Sequence, residues 1–338
     1  MDILKLNAIS PLAGKILNGY DVVDESAAPV GILVRSANMA EYDLPSSVLA
    51  VARAGAGVNN IPHADYAAKG VVVFNTPGAN ANAVKEMVIC EFMLAARNLV
   101  EGAAWAGTLK GDDVAKQVEK GKKAFVGHEI LGKTLAILGL GAIGRKVAIA
   151  ADALGMKVRG YDPYLSDAAK AEIPFVTVCA TAEKAYEGAQ FVSLHMPATA
   201  ETKGMINAAA IARMADGAVV VNAARGELVV VADVVAALES GKLHKYVCDF
   251  PTEEIVGVKG IVAIPHLGAS TEEAEDNCAV MAANELKDYI ENGNIVNSVN
   301  LPCLKADLNA KHRVAVIAKE GTDLGTDGLS STAKGYTY

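Results

Sequence analysis

The sequence predicts an α/β protein built as two doubly wound parallel-sheet domains. Short apolar runs alternate with helix-like stretches along most of the chain, and polar residues gather just past the ends of those runs. Near the middle, one glycine-rich turn, Gly139-Leu140-Gly141-Ala142-Ile143-Gly144, stands between a strand pattern and a helix pattern. At 338 residues the chain is long for a single hydrophobic core, which makes two domains the natural expectation.

Composition narrows the class. The chain is 52% hydrophobic and rich in Ala, Gly and Val, as a soluble α/β enzyme would be and a disordered chain would not. A net charge of −8 argues against a nucleic-acid groove, so an anionic ligand must be held by a few placed arginines. No apolar run reaches the roughly 18 residues of a membrane span. Met1-Asp2-Ile3-Leu4-Lys5 lacks the basic and apolar segments of a signal peptide. Five cysteines without a C-x-x-C pair point to reduced thiols in the cytoplasm and to no structural metal, most of them being small buried hydrophobes.

In chain order, Ile3–Leu6, Val30–Val34, Val48–Val51 and Val71–Phe74 read as strands separated by helix or turn segments, the signature of a parallel sheet with crossover helices. Ligands of such sheets lie beyond the C-terminal strand ends. Three of those ends are Arg35-Ser36-Ala37-Asn38, Arg53-Ala54-Gly55-Ala56-Gly57-Val58-Asn59-Asn60 and Asn75-Thr76-Pro77-Gly78-Ala79-Asn80. One such loop is ordinary turn chemistry. Three in succession, with two arginines able to fork around a carboxylate or phosphate, point to a site.

Ala83–Arg97 is strongly helix-forming and mostly apolar, which predicts burial between domains or subunits and places the domain crossing within it. The charged run from Trp105 to Lys123 continues as a more exposed segment.

The glycine-rich turn follows the strand pattern Thr134–Leu138, and a helix pattern runs from Ile143 to Leu154. Gly139 permits the sharp turn, Gly141 leaves room for a pyrophosphate, and Gly144 allows close helix–strand packing. The helix N-terminus favours an anion. After the next strand pattern, Lys157–Tyr161, Asp162 stands 21 positions past Gly141. The carboxylate that grips an adenosine ribose is expected about 20 positions on. Asp162 before Pro163 is also an ordinary turn-former, but strand, glycines and acid together indicate a Rossmann dinucleotide site. A carboxylate there favours NAD over NADP, with Arg159 the one residue pointing the other way.

The alternation resumes with strands at Phe175–Val178, Phe191–His195, Ala218–Asn222, Leu243–Asp249 and Gly260–Ile264, and a helix from Thr271 to about Glu291 returns the chain to the first domain. Polar residues again follow the strands. Arg225 can hold a substrate carboxylate in two parallel hydrogen bonds. His266 suits general acid/base work near neutrality, and Glu253 or Glu254, bonded to it, would favour its cationic form. His195, with Pro197 close by and no adjacent acid, reads as structural or as a cofactor contact.

Gly139–Gly144, Asn222-Ala223-Ala224-Arg225-Gly226 and Pro265-His266-Leu267-Gly268-Ala269-Ser270 together resemble the D-isomer-specific 2-hydroxyacid dehydrogenase family, and the likeness runs from about Ile3 to Val316. The three loops of the first domain most resemble members that oxidise 3-phospho-D-glycerate at the start of serine biosynthesis. The resemblance implies a flavodoxin-like substrate domain, residues 1–93 and 284–310, into which a Rossmann NAD-binding domain, residues 94–283, is inserted. It implies a catalytic set of Arg225, His266 and a glutamate, Glu254 or Glu253. The segment from Asp249 to Glu254 departs from the family spacing and leaves both glutamates open, with Glu254 preferred. NAD is expected at Gly139, Gly141, Ala142, Ile143, Gly144, Asp162, Met196, Pro197, Ala223, Asp249, His266, Gly268 and Ala269. The substrate is expected at Arg35, Ser36, Arg53, Gly55, Ala56, Gly57, Asn80 and Arg225. The partners implied are a small-molecule substrate and a second copy in a homodimer, with no nucleic acid and no membrane.

Residues 311–338 are expected to form a short frayed tail. Lys311–Glu320 resembles the opening of a serine-binding regulatory module, but too few residues follow to complete one, so no serine feedback is expected. Two readings of other classes use a similar glycine turn. A dinucleotide-sensing binding protein would not need Arg225, His266 and the glutamates, and a methyltransferase fits the late Arg and His motifs badly.

Overall fold

In the computed structural model the alternation resolves into two wholly parallel sheets, of five and seven strands, with residues 1–305 and 316–318 described. The expectation for the tail falls outside the described residues, apart from 316–318. The described chain divides into two compact units: Met1–Ala79 with the described residues from Glu275 onward, and Asn80–Ala274.

The first unit opens with β1 (Asp2–Lys5), α1 (Leu12–Ile16), β2 (Asp21–Val23), β3 (Gly31–Val34), β4 (Ala50–Arg53), α2 (His63–Ala68) and β5 (Val72–Phe74). Its sheet order is β2-β1-β3-β4-β5, the flavodoxin-like order, with the reversal of direction between β1 and β3. β3 and β5 are buried along their whole length, as parallel strands covered on both faces must be. The edge strand β2 is absent from the sequence reading, because one exposed and two half-buried residues carry no periodic signal.

The second unit runs α3 (Ala81–Arg97), α4 (Leu99–Ala106), α5 (Val114–Gly121), β6 (Thr134–Leu138), α6 (Ala142–Ala153), β7 (Lys157–Tyr161), α7 (Asp167–Ala171), β8 (Thr177–Val178), α8 (Ala182–Tyr186), β9 (Phe191–Leu194), α9 (Ala208–Arg213), β10 (Ala218–Asn222), α10 (Val231–Glu239), β11 (Leu243–Cys248) and β12 (Ile261–Ala263). The order β12-β11-β10-β9-β6-β7-β8 is a Rossmann sheet with one added strand, reversing between β6 and β9. The chain then leaves through α11 (Glu272–Asn292).

Both crossings fall earlier than the sequence boundaries at 93/94 and 283/284. Val84, Val88, Phe92 and Ala95 of α3 share a core with Leu135, Ile137, Val147 and Ala148, so the whole helix belongs to the second unit. Cys278, Ala279, Ala282 and Leu286 of α11 join Ile3, Leu33, Val72 and Phe74 in the core of the first. The apolar face of α3 is buried while Asn82, Glu86, Cys90 and Arg97 are exposed, so the helix is amphipathic rather than apolar all round. Of the cysteines, Cys248 and Cys278 are buried, Cys179 is half-buried, and Cys90 and Cys303 are exposed, which limits the buried-hydrophobe expectation to two. Among the described residues no helix is long and apolar enough to cross a membrane, and no cluster of His, Cys, Asp or Glu could hold a metal.

Candidate active site

The glycine turn of the second unit is shaped by backbone contact. Gly139 has φ 95°, and a Cβ there would stand 2.5 Å from the carbonyl oxygen of His195. Here β6 and β9 part, and His195 N–H donates to Leu138 O at 2.7 Å. A Cβ on Gly144 would run into Gly139 O, whereas one on Gly141 meets nothing within 4 Å. Two glycines are thus required by packing, and the third leaves open space above the N-terminus of α6. Asp162, at the end of β7, accepts from Leu140 N–H through Oδ2 and from Tyr164 N–H through Oδ1, both at 2.9 Å. Its carboxylate is fastened to the glycine turn. Gly141 and Ala142 are exposed and Ile143 half-buried at the start of α6. Open space, unpaired helix N–H groups and a fixed carboxylate at one strand end fit a dinucleotide.

His195 follows β9, its Nε2 2.8 Å from Ser193 Oγ and its Nδ1 shielded without a partner. Burial pushes its imidazole down to about 3, so it is neutral at physiological pH. Met196 packs on the core beside it, and Pro197 is exposed, its carbonyl accepting from Thr202 Oγ1 at 2.6 Å.

Beyond β10 the loop Ala223–Arg225 is wound around Asn222, which is fully buried. Its Oδ1 accepts from Ala224 N–H and Arg225 N–H, both at 3.2 Å, and its Nδ2 donates to Arg225 O at 2.8 Å and to Tyr246 Oη at 3.3 Å. The half-buried Arg225 donates one guanidinium N–H to Ala224 O at 2.6 Å. Beyond β11, Asp249 is 1% exposed and its own N–H donates to Asn222 O. Its Oδ1 and Oδ2 accept from Leu267 N–H at 2.7 Å and Gly268 N–H at 2.8 Å. A carboxylate beneath one loop therefore fixes the backbone of the next.

His266 stands on that fixed backbone at φ 54°, a left-handed conformation that costs a non-glycine residue roughly 1–3 kcal/mol. Its N–H donates to Ile264 O at 3.0 Å, and its exposed ring lies 5.1 Å from that of Phe250. A Cβ on Gly226 would lie 3.5 Å from Phe250 Cβ, so Phe250 stands between the Arg225 loop and His266. Ala223 and Ala269 are half-buried against the core, and Gly268 is buried, with no room for a side chain because a Cβ there would lie 2.9 Å from Asp249 Oδ2. Glu253 and Glu254 are exposed, and neither makes an ion pair or hydrogen bond with His266 among the described residues. Arg225, Asp249 and His266 are thus brought into one linked set of loops. The expected glutamate–histidine pair is not formed.

Glu91 of α3, which the sequence reading missed, is fully buried with neither carboxyl oxygen bonded. Burial, and then the Asp249 carboxylate, push it up to about 8. A glutamate inside a helical run reads as a solvated face, and nothing local marks it otherwise.

In the first unit, the loops after β3 and β4 carry the expected substrate residues. Asn7 Oδ1 accepts from three successive N–H groups, Arg35 at 3.2 Å, Ser36 at 3.1 Å and Ala37 at 2.8 Å, at the reversal point between β1 and β3. Asn60 Nδ2 donates to Arg35 O and Ala37 O, and Asn60 Oδ1 accepts from Arg53 Nε at 3.2 Å. The Arg35 guanidinium pairs with Glu275 at 2.6 Å. Gly55 has φ 155°, and the space of its missing Cβ is filled by the Arg53 guanidinium. Ala56 O accepts from Asn75 Nδ2 at 2.6 Å, and Gly57 is half-buried beside it. Asn80 belongs to the second unit, at the N-cap of α3 without a side-chain cap bond. The clamps Asn7 and Asn222 share one signal, an asparagine beside a strand end, where its amide can substitute for backbone turn bonds, and Asn60 does the same from farther along the loop after β4.

Residues 92–268 match the family pattern described as D-isomer specific 2-hydroxyacid dehydrogenase, NAD binding domain. The chain is 33% identical over 311 residues to the D-3-phosphoglycerate dehydrogenase of Bacillus subtilis, covering 88% of this chain and 57% of that one. It is 35% identical over 256 residues to the hydroxypyruvate reductase of Thermotoga maritima, covering 72% and 79%. It thus spans about half the length of the phosphoglycerate dehydrogenases it matches first, 57% and 52% for the bacterial pair. Among solved structures it resembles the NAD+-bound 3-phosphoglycerate dehydrogenase of Entamoeba histolytica, at TM-score 0.70 and 27% identity over 89% of this chain and 98% of that one.

Proposed function

This chain belongs to the D-isomer specific 2-hydroxyacid dehydrogenase family, and on that premise we propose that it oxidises 3-phospho-D-glycerate to 3-phosphohydroxypyruvate with NAD. The observation that carries the reading is the linkage of Arg225, Asp249 and His266 through Asn222, Phe250 and the two Asp249 hydrogen bonds. Arg225 binds the substrate carboxylate through its planar fork. An imidazole nitrogen of His266 takes the hydroxyl proton as the C–H bond breaks, and returns it in the reverse direction. Asp249 fixes the loop backbone next to His266, and a glutamate, Glu254 or Glu253, is proposed as the partner that would favour the cationic imidazole. The glycine turn and Asp162 would hold NAD, which when bound accepts the hydride. Arg35 and Ser36, with Arg53 to Gly57, are assigned to the substrate's phosphate end. The enzyme is proposed to work in the cytoplasm as a homodimer, which its mass in solution checks.

A second reading, hydroxypyruvate or glyoxylate reduction, is favoured by one observation. Arg35 already carries a carboxylate partner in Glu275, which would repel a phosphate. Rates of NADH formation from D-2-hydroxy acids with and without a phosphate separate the two. The first reading expects the phosphorylated acid to have the highest kcat/KM, and Arg35→Ala to cost it about tenfold or more while sparing unphosphorylated acids. Equal losses for both would remove Arg35 from phosphate recognition.

A further inference from the structure

The first unit contains a chain of hydrogen bonds that begins on α11 and ends at the loop assigned above to the substrate. Glu285 Oε1 accepts from Asn297 Nδ2 at 2.7 Å. Asn297 sits at φ 58°, a conformation asparagine tolerates better than most side chains but adopts only when something holds it. Asn297 O in turn accepts from Asn75 N–H at 3.3 Å. Asn75 Nδ2 donates to Ala56 O at 2.6 Å, and Thr76 N–H donates to Gly55 O at 3.2 Å. The segment after Asn297 runs antiparallel beside the edge strand β5, with Ser298 opposite Phe74 and Val299 N–H on Val73 O. It acts as a strap whose first residue meets the sheet where the Asn75 loop departs.

Glu285 has no evident use in the core. Its second oxygen is buried without a partner, and burial pushes the carboxyl up to about 7 against the opposing pull of Asn297. A leucine or alanine would fill a helix position at lower desolvation cost. The Asn297 contact is what the carboxyl group supplies.

We propose that Glu285 is a positioning residue for the Arg53–Gly57 loop: it holds Asn297 in the left-handed turn, and through Asn75 and Thr76 that turn sets the carbonyls of Gly55 and Ala56. The kinetic part of this inference rests on the substrate assignment above, whereas the hydrogen-bonded chain does not.

Amide hydrogen exchange and steady-state kinetics on the full chain test the two parts separately. Glu285→Ala is expected to speed exchange at Asn75 and Thr76 about tenfold, the factor one lost hydrogen bond gives, with Ile32 in β3 unchanged. Glu285→Gln keeps an oxygen for the Asn297 amide and is expected to restore slow exchange. Should the alanine variant not fold, Asn297→Gly keeps the turn accessible without its anchor and must speed the same two amides. Unchanged exchange at Asn75 and Thr76 in whichever of these variants folds overturns the proposal. In the kinetics, Glu285→Ala should raise KM for the hydroxy acid about tenfold while kcat and the KM for NAD stay within about twofold, with recovery in Glu285→Gln. Faster exchange with an unchanged KM upholds the positioning chain and instead removes the loop from the substrate site.

Discussion

Glu91 places a carboxyl group with no bonded partner in the core of the second unit, facing Asp249, Tyr246 and Cys248 at the end of β11. Its folded value of about 8 lies above the 4.5 of an exposed glutamate. The unfolded chain therefore releases this proton first as pH rises. The stability it contributes is complete below 4.5 and is lost as pH climbs through about 8. Glu91→Gln has no proton to lose. It should match the parent in acid and exceed it by a few kcal/mol near about pH 9, an upper value because the site can admit water or relax. Glu285 titrates alike in both proteins, so the difference between urea unfolding curves at acidic and alkaline pH isolates Glu91. A gap that does not grow with pH would show that Glu91 is ionised inside the fold.

Among the elements, the glycine turn before α6 separates a packing role from a binding role. Gly144→Ala forces a Cβ against the backbone oxygen of Gly139, which cannot swing aside, and should lower stability by about 2–4 kcal/mol. Gly141→Ala enters open space, so thermal unfolding should be almost unmoved while NAD affinity, read by NADH fluorescence, falls about tenfold or more. Equal affinity in Gly141→Ala would mean that nothing needs to approach that backbone. This turn was legible in the sequence because its constraints are local, as were Lys157–Tyr161 and Ala218–Asn222, whose observed limits match the apolar runs. Elements without a local period were not legible. β2 is too short and exposed to carry one, and α3 showed its apolar content but not which unit its buried face would join. The site divides the same way. Arg225 and its clamp Asn222 stand together in one recognisable strand-end motif, as His266 does in another, whereas Asp249 reaches the Leu267 and Gly268 backbone from a different loop. Glu253 and Glu254 illustrate the converse, since spacing along a loop does not fix where its side chains end.

For the molecule as a whole, the two units can be followed separately in solution. Trp105, the single tryptophan, lies on α4 in the second unit with its ring 5.2 Å from that of Phe125, so its fluorescence reports that unit alone. NAD at a hundred times its Kd should raise the stability read from Trp105 by about 2.7 kcal/mol. Far-UV dichroism, which reports both sheets, should separate from the fluorescence curve as NAD is added. Coincident curves at every NAD concentration would mean that the units unfold as one cooperative block.

The interrupted connectivity of the first unit also bears on synthesis. Cys278, Ala282, Leu286 and Ile295, all encoded beyond the insertion, complete the core over Ile3, Leu33 and Val72. When β5 leaves the ribosome, the nascent sheet lacks that covering and its edge lacks the strap at Ser298. At about 5–20 residues per second, roughly 10–40 seconds pass before the missing pieces emerge. Through that interval the second unit, whose strands are contiguous, can close while the first waits with apolar faces bare. Chaperone demand during translation should therefore concentrate on the first eighty residues.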